Sequence, residues 1–250
     1  MTVKKKAPPK KKKATVTRLP VRKKVVKKKA AARSRKRRVD PRITPLVQEL
    51  IDFAHMHRVP EGHMVGEFIE LLDWQIEWFI KTFEPEIAVS LLSIARRNGK
   101  TAVVAIVVAA ALYGPLVVPY ALLISASRSR DQAAIVYKYV KQMATLSGFD
   151  NQLIFRDSKK EIYCPRTGVT YFAVSADAKT QHGKSANILI SDELGQVRGP
   201  EDELYETLSS GQGSYENPKH LIISTRAPND NALSNRIIDD ALPVKAPKTA

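Results

Sequence analysis

A short apolar run, Ala88-Val-Ser-Leu-Leu-Ser-Ile-Ala95, stops at Arg96-Arg-Asn-Gly-Lys-Thr101 and resumes as an alanine- and valine-rich segment that reaches Tyr113. The first run has the length of a buried strand. Thr101–Tyr113 has the length of a helix and is closed by Gly114-Pro115. A glycine-bearing turn between strand and helix presents the helix's first free N–H groups to an anion, which makes it a phosphate-binding loop. In that arrangement Lys100 neutralises the β- and γ-phosphates of a nucleotide, and the Thr101 hydroxyl is placed to ligate Mg²⁺. Arg97, Asn98 and Gly99 complete the predicted nucleotide-binding loop. The usual first glycine is missing, since Ile94 stands in its place. A second Gly-Lys-Ser, at 183–185, leads into the strand-like Asn187-Ile-Leu-Ile-Ser191 rather than into a helix, so its amides do not converge on a phosphate. It reads as a loop.

About ninety residues on, Ile188-Leu-Ile-Ser-Asp-Glu193 ends a second buried strand in two adjacent carboxylates, a pattern that resembles a Walker B motif. Asp192 is predicted to hold Mg²⁺, directly or through water, and Glu193 to orient and deprotonate the water that attacks the γ-phosphate. Neighbouring residues of a strand point to opposite faces. Both carboxylates reach one ligand only if the chain turns at the strand end.

Charge divides the chain. Residues 1–38 hold 19 Lys and Arg and no Asp or Glu, whereas 39–250 hold 22 basic against 25 acidic residues. The whole excess behind the formal charge of +16 is therefore in the first 38 residues. This stretch, interrupted by Pro8, Pro9 and Pro20, has too little apolar surface to fold alone and is expected to be disordered. It either attracts phosphates without regard to sequence or is a solvated extension. Residues 39–250 suffice for one α/β domain with a sizeable core. The single cysteine, Cys164, excludes an internal disulfide and fits a reducing compartment. No secretory h-region is apparent, and Ala102–Tyr113 is too short to cross a bilayer, so a soluble intracellular protein without a membrane partner is expected.

Helical patterns cover Thr44–His57 and Gly66–Phe83, the latter with Phe68, Leu71, Leu72, Ile76, Phe79 and Ile80 at helical spacing. After the strand, loop and helix of 88–113 come a strand at Tyr120–Ala126 and an amphipathic helix from about Asp131 to Leu146, with Ala134, Tyr137, Val140 and Met143 on one face. Glu161–Cys164 and Val169–Val174 read as a hairpin joined by Pro165-Arg-Thr-Gly168. A polar helix near Glu201–Ser209 and a last strand at Lys219–Ser224 follow. Strands alternating with helices predict a mainly parallel sheet covered on both faces, a P-loop NTPase architecture. His55, His57 and His63 are read as surface residues, because no cysteine or ligand cluster accompanies them. Ser127–Arg130 either faces DNA or nucleotide or is simply a charged helix start.

Trp74-Gln75, Ala95-Arg-Arg-Asn-Gly-Lys-Thr101, Ser125-Ala-Ser-Arg-Ser-Arg-Asp-Gln-Ala133, Asp192-Glu193 and Ile223-Ser-Thr-Arg-Ala227, in this order, resemble the ATPase domain of the large terminase subunit of tailed phages over about residues 66–235. That family's degenerate P-loop begins with Arg, which accounts for the missing glycine. The resemblance implies that Gln75 contacts adenine, that Arg96 stabilises transition-state charge, and that Ser224-Thr225 couples hydrolysis to DNA movement. It implies ATP and Mg²⁺ as cofactors. It also implies double-stranded DNA, a small terminase subunit, the portal of a procapsid and further copies of the chain as partners, in the cytoplasm of a bacterial host.

The expected function is thus an ATP-driven DNA translocase, with Lys100, Glu193 and Arg96 as the catalytic set. A helicase-like ATPase and a non-enzymatic basic DNA-binding protein with a vestigial P-loop are the alternatives. The family's large subunits usually carry a nuclease domain after the motor. Only 57 residues follow Glu193 here, and Glu201, Asp202, Glu203, Asp230, Asp239 and Asp240 fall in polar helices and loops. The expectation is a fragment, or a split or truncated subunit, that moves DNA without cutting it.

Overall fold

A computed structural model describes residues 40–94, 98–127, 129–175, 185–193 and 203–224, together with Leu233, Asn235 and Ile237. The basic stretch 1–38 lies outside the described residues, as do Glu201, Asp202, Asp230, Asp239 and Asp240.

The first helix, α1 (Pro45–His55), starts where the Thr44 hydroxyl accepts the Val47 N–H at 3.3 Å and Pro45 occupies the first turn, where its missing N–H costs nothing. Next come α2 (Asp73–Thr82), β1 (Val89–Ser93), α3 (Lys100–Tyr113), β2 (Leu122–Ser127) and α4 (Arg130–Ser147). The rest are β3 (Ile154–Arg156), β4 (Glu161–Tyr163), β5 (Thr170–Ser175), β6 (Ile188–Asp192), α5 (Glu203–Ser210) and β7 (Lys219–Ser224). The strands form one sheet in the order β1-β7-β6-β2-β5-β4-β3. The first five in that order are parallel, and β4 and β3 return antiparallel at the edge.

Side-chain alternation sorts the strands into two faces. Leu92, Leu123, Tyr171, Ile188, Ile190, Leu221 and Ile223 join a core shared with α1, α2, α3 and α4. Ile124, Ala126, Val174 and Leu189 pack with Leu208 of α5, and Ile222 with Leu233, Tyr205 and Ile237. Helices therefore cover both faces of the parallel part, as the strand–helix alternation predicts. The α3 helix is apolar all round because it is buried all round, from Val103 to Tyr113 without a break. Its end approaches α1 so closely that a β-carbon at Gly114 would lie 2.5 Å from the Phe53 ring. Among the described residues no helix is long and apolar enough to cross a membrane.

Three sequence expectations are corrected. The helix expected over Gly66–Phe83 begins only at Asp73. Gly66 has φ +85°, and residues 66–69 run antiparallel to 57–59, with Val59 N–H donating to Glu67 O at 2.8 Å and Ile69 N–H to His57 O at 2.8 Å. Of the residues whose spacing suggests a helix, Phe68 lies in this ribbon and is exposed, Leu72 is exposed as well and only Leu71 is buried, so the tertiary pairing rather than an apolar helical face decides this stretch. The second correction is His57, which is buried rather than on the surface. Its ring hydrogen-bonds with Phe53 O at 2.8 Å and Tyr113 Oη at 2.9 Å and packs against Phe149. Desolvation lowers its pKa. His55 and His63 are exposed, and the described residues contain no group of three metal-ligating side chains. The third is β3, which sequence reading missed because three residues are too few for a periodic signal.

Candidate active site

Parallel strands deliver their carboxyl ends to one pole of the sheet, and Lys100, Asp192, Glu193 and Ser224 lie there. Gly99 caps α3 with φ +80°, a left-handed conformation that costs a glycine nothing, and Lys100 is the helix's first residue. The Lys100 ammonium reaches back over the loop and donates to Ile94 O at 2.7 Å, at the exit of β1. Thr101 follows it, half-buried. Arg96 and Arg97 lie outside the described residues.

Gln75 comes to the same loop from α2. Its Oε1 accepts the Leu72 N–H at 2.8 Å, which fixes the start of α2. Its Nε2 lies 3.6 Å from the place a β-carbon would take on Gly99. A lone helical glutamine normally faces solvent; this one is buried against the phosphate-loop glycine.

Asp192 ends β6 on the face that carries Ile188 and Ile190, the side of α3. Alternation alone would send Glu193 to the other side. Instead Glu193 adopts φ +56°, a strained value for a residue with a β-carbon, while its N–H is pinned to Ile223 O at 2.8 Å. The turn brings the Glu193 carboxylate to Gln132 near the start of α4, where Gln132 Nε2 donates to Oε2. The other end of that amide, Gln132 Oε1, accepts from the Ser127 hydroxyl at the end of β2, at 3.3 Å. Gln132 N–H in turn donates at 3.2 Å to Ser129 Oγ, the cap of α4. Ser127 and Ser129 are thus the base on which the glutamate's partner stands, and Ser129 also caps α4.

Burial pushes the Asp192 carboxyl up to about 6, aided by the charge of Glu193 and partly opposed by that of Lys100. Asp192 therefore lies within electrostatic reach of both Glu193 and Lys100. Ser224, buried, ends β7 between β1 and β6 and pairs in register with Ser93, whereas Thr225 lies outside the described residues. Behind β6, Ser191 Oγ meets His220 Nε2 at 2.9 Å, and His220 Nδ1 faces Ser209 Oγ of α5 at 3.4 Å.

Gln132 was not singled out by sequence reading. A signal exists: it is a polar residue in the first turn of the helix after the strand that neighbours β6. That only becomes meaningful once the strand order is known. The donor set also suits a hard cation. A half-buried carboxylate and a hydroxyl offer oxygen ligands, and a divalent ion beside Asp192 would favour its charged form against the burial that raises its pKa.

The terminase large subunit ATPase domain family matches residues 76–240. The chain belongs to that family. Gln75 falls just before the matched range. The large terminase subunit of Enterobacteria phage HK97 is 38% identical over 192 residues, 76% of this chain and 38% of that protein. The crystal structure of the HK97 bacteriophage large terminase superposes with a TM-score of 0.72 at 35% identity, over 78% of this chain and 41% of that one. The chain thus spans about two fifths of the length of the relatives it matches.

Proposed function

We propose that this chain is the ATP-hydrolysing motor portion of a phage or prophage terminase, and that it drives double-stranded DNA into a procapsid. The observation that carries the reading is the convergence of Lys100, Asp192 and Glu193 at one pole of a parallel sheet, in a chain of the terminase ATPase family.

The chain's residues divide the work. The N–H groups at the start of α3 and the Lys100 ammonium hold the triphosphate, and on nucleotide binding Lys100 exchanges its bond to Ile94 O for phosphate oxygens. Thr101 and Asp192 would hold Mg²⁺, which when bound neutralises charge on the phosphate oxygens. Glu193 takes the proton of the attacking water, and Gln132 holds its carboxylate on the correct side of β6. Gln75, against Gly99, is placed to read the base, and Asn98, Gly99 and Arg97 border the phosphates. Arg96 supplies charge as the γ-phosphoryl leaves. Ser224 is the last residue of β7, whose backbone holds Glu193, and Thr225 is next in sequence, so the pair is suited to pass the change in that carboxylate on to DNA.

The same reading makes 39–250 the ATPase domain and 1–38 a phosphate-attracting arm. It gives the motor a small terminase subunit, a portal and further copies of itself as partners, in the host cytoplasm. The test is ATP turnover with and without double-stranded DNA and purified procapsids. Stimulation by both is expected. No turnover under any condition would leave a basic DNA-binding protein, and strand separation on a forked duplex would point to a helicase.

A further inference from the structure

We propose that the β3–β4 turn and the adjoining side of α4 contact the phosphodiester backbone of the translocated double-stranded DNA through Lys138, Lys141, Lys159 and Lys160. This rests on the reading of the chain as a DNA motor and adds to it a place where the duplex is held.

The argument starts from charge. Residues 39–250 carry more acidic than basic side chains, so a cluster of cations there stands against the local average. At the antiparallel edge, Lys138 and Lys141 lie three residues apart on α4, on neighbouring positions of one face. Lys141 Nζ reaches Asp157 Oδ2 at 2.7 Å, in the turn that also bears Lys159 and Lys160. With Arg156, the cluster has five cations against two carboxylates, Asp157 and Glu161, the latter paired with Arg156.

Two of the lysines are held in place. Lys141 Nζ lies 5.5 Å from the Phe155 ring centroid, and Lys160 Nζ lies 5.6 Å from that of Tyr137. Lys138 and Lys159 are exposed. The aromatic supports order the ammonium groups before any anion arrives, which lowers the entropy lost on binding.

Topology puts the cluster at the working pole. Because β4 runs against β5, with Glu161 opposite Phe172, the β3–β4 turn emerges at the end where β2 and β6 deliver Ser127 and Asp192. Three strand spacings separate β4 from β6, about 15 Å. The same helix that places Gln132 on Glu193 carries Lys138 and Lys141 two turns further along, so one rigid element joins hydrolysis to the surface. Asp157 acts as an internal stand-in for phosphate, to be displaced by the duplex.

The test uses the full chain and a fluorescent 30-base-pair duplex, with affinity measured against salt concentration. In the triple variant Lys138→Ala, Lys159→Ala, Lys160→Asn, the slope of log affinity on log salt should shrink by about 2 to 3, near 0.9 per lost phosphate contact. Asparagine is chosen at 160 because Lys160 has φ +51°. DNA-independent ATP turnover should be unchanged. Asp157→Asn should move the other way, tightening binding. Equal slopes in the triple variant and the parent would overturn the proposal, as would weaker binding by Asp157→Asn. A parent that never hydrolyses ATP, yet loses slope in the triple variant, would sink the motor reading and leave the DNA surface standing.

Discussion

The two halves of this sheet are built differently. From β1 to β2 the strands are parallel and covered by helices on both faces; β6 ends in Asp192 with Glu193 next, β7 ends in Ser224, and Lys100 opens the helix after β1. From β4 to β3 they turn antiparallel, shorten to three residues and leave Ile154 44% exposed. A parallel sheet buried on both faces fixes its strand ends within a close-packed core, where a carboxylate can be held at a raised pKa. The thin antiparallel edge buries Ile162 but leaves Ile154, Arg156 and Lys159 exposed, so it can hold out cationic side chains.

The largest test of that contrast is chemical. Glu193→Gln should bind ATP and lose turnover by roughly 10²- to 10⁴-fold, the usual worth of a positioned general base. Lys100→Ala should instead lose nucleotide binding itself, measured by a fluorescent ATP analogue. Normal turnover by Glu193→Gln would remove the parallel edge's claim to the chemistry.

Stability should divide along the same line. Ile190→Ala, at a fully buried position of β6, should cost about 2–5 kcal/mol in denaturant unfolding. Ile154→Ala at the other edge should cost within about 1 kcal/mol. Comparable losses would mean that the edge hairpin is part of the cooperative core.

A smaller effect is expected at Gln132, on α4, the helix whose Lys141 reaches the antiparallel edge. Gln132→Leu removes a hydrogen bond to a charged group, so turnover should fall about tenfold or somewhat more while ATP affinity changes little. A parallel loss of affinity would show that Gln132 shapes the loop rather than the carboxylate.

The smallest effect concerns pH, and the parallel half holds both opposing groups. Burial depresses His220 to about 4, so its contribution to stability is present above its unfolded value near 6.5 and is lost as pH falls toward 4. Asp192 is raised to about 6 from 3.8, so its charged form penalises the fold above 6, and that penalty is relieved as pH falls toward 3.8. Between about pH 4 and 6 the two nearly cancel. Melting in the absence of Mg²⁺ should show it: Asp192→Asn should steepen the acid loss, by at most about 1.4 kcal/mol per pH unit, and His220→Gln should flatten or reverse it.

The order of strand, loop, helix and acidic strand end is legible in sequence because each depends on local rules: apolar run length, a glycine able to take φ +80°, and alternation along β6. The boundaries of α3, α4 and β7 follow from the same periodicities. Where two local patterns fit equally, as over Gly66–Leu72, only pairing with residues 57–59 settles the outcome.

The sequence by itself determined the fold class, the family and the types of residue available for phosphate, cation and water, since these are written in composition and spacing. Tertiary structure decided which of them meet. Strand order set β6 between β7 and β2, and that adjacency brings Gln132 from α4 to Glu193 and His220 from β7 to Ser191, while the packing of α2 beside β1 brings Gln75 to Gly99. The buried His57 and the left-handed Glu193 belong to the same category, because their conformations are imposed by neighbours far away in the chain. Contacts of that kind depend on how elements stack, a free-energy choice made by the whole core and not encoded in any single segment.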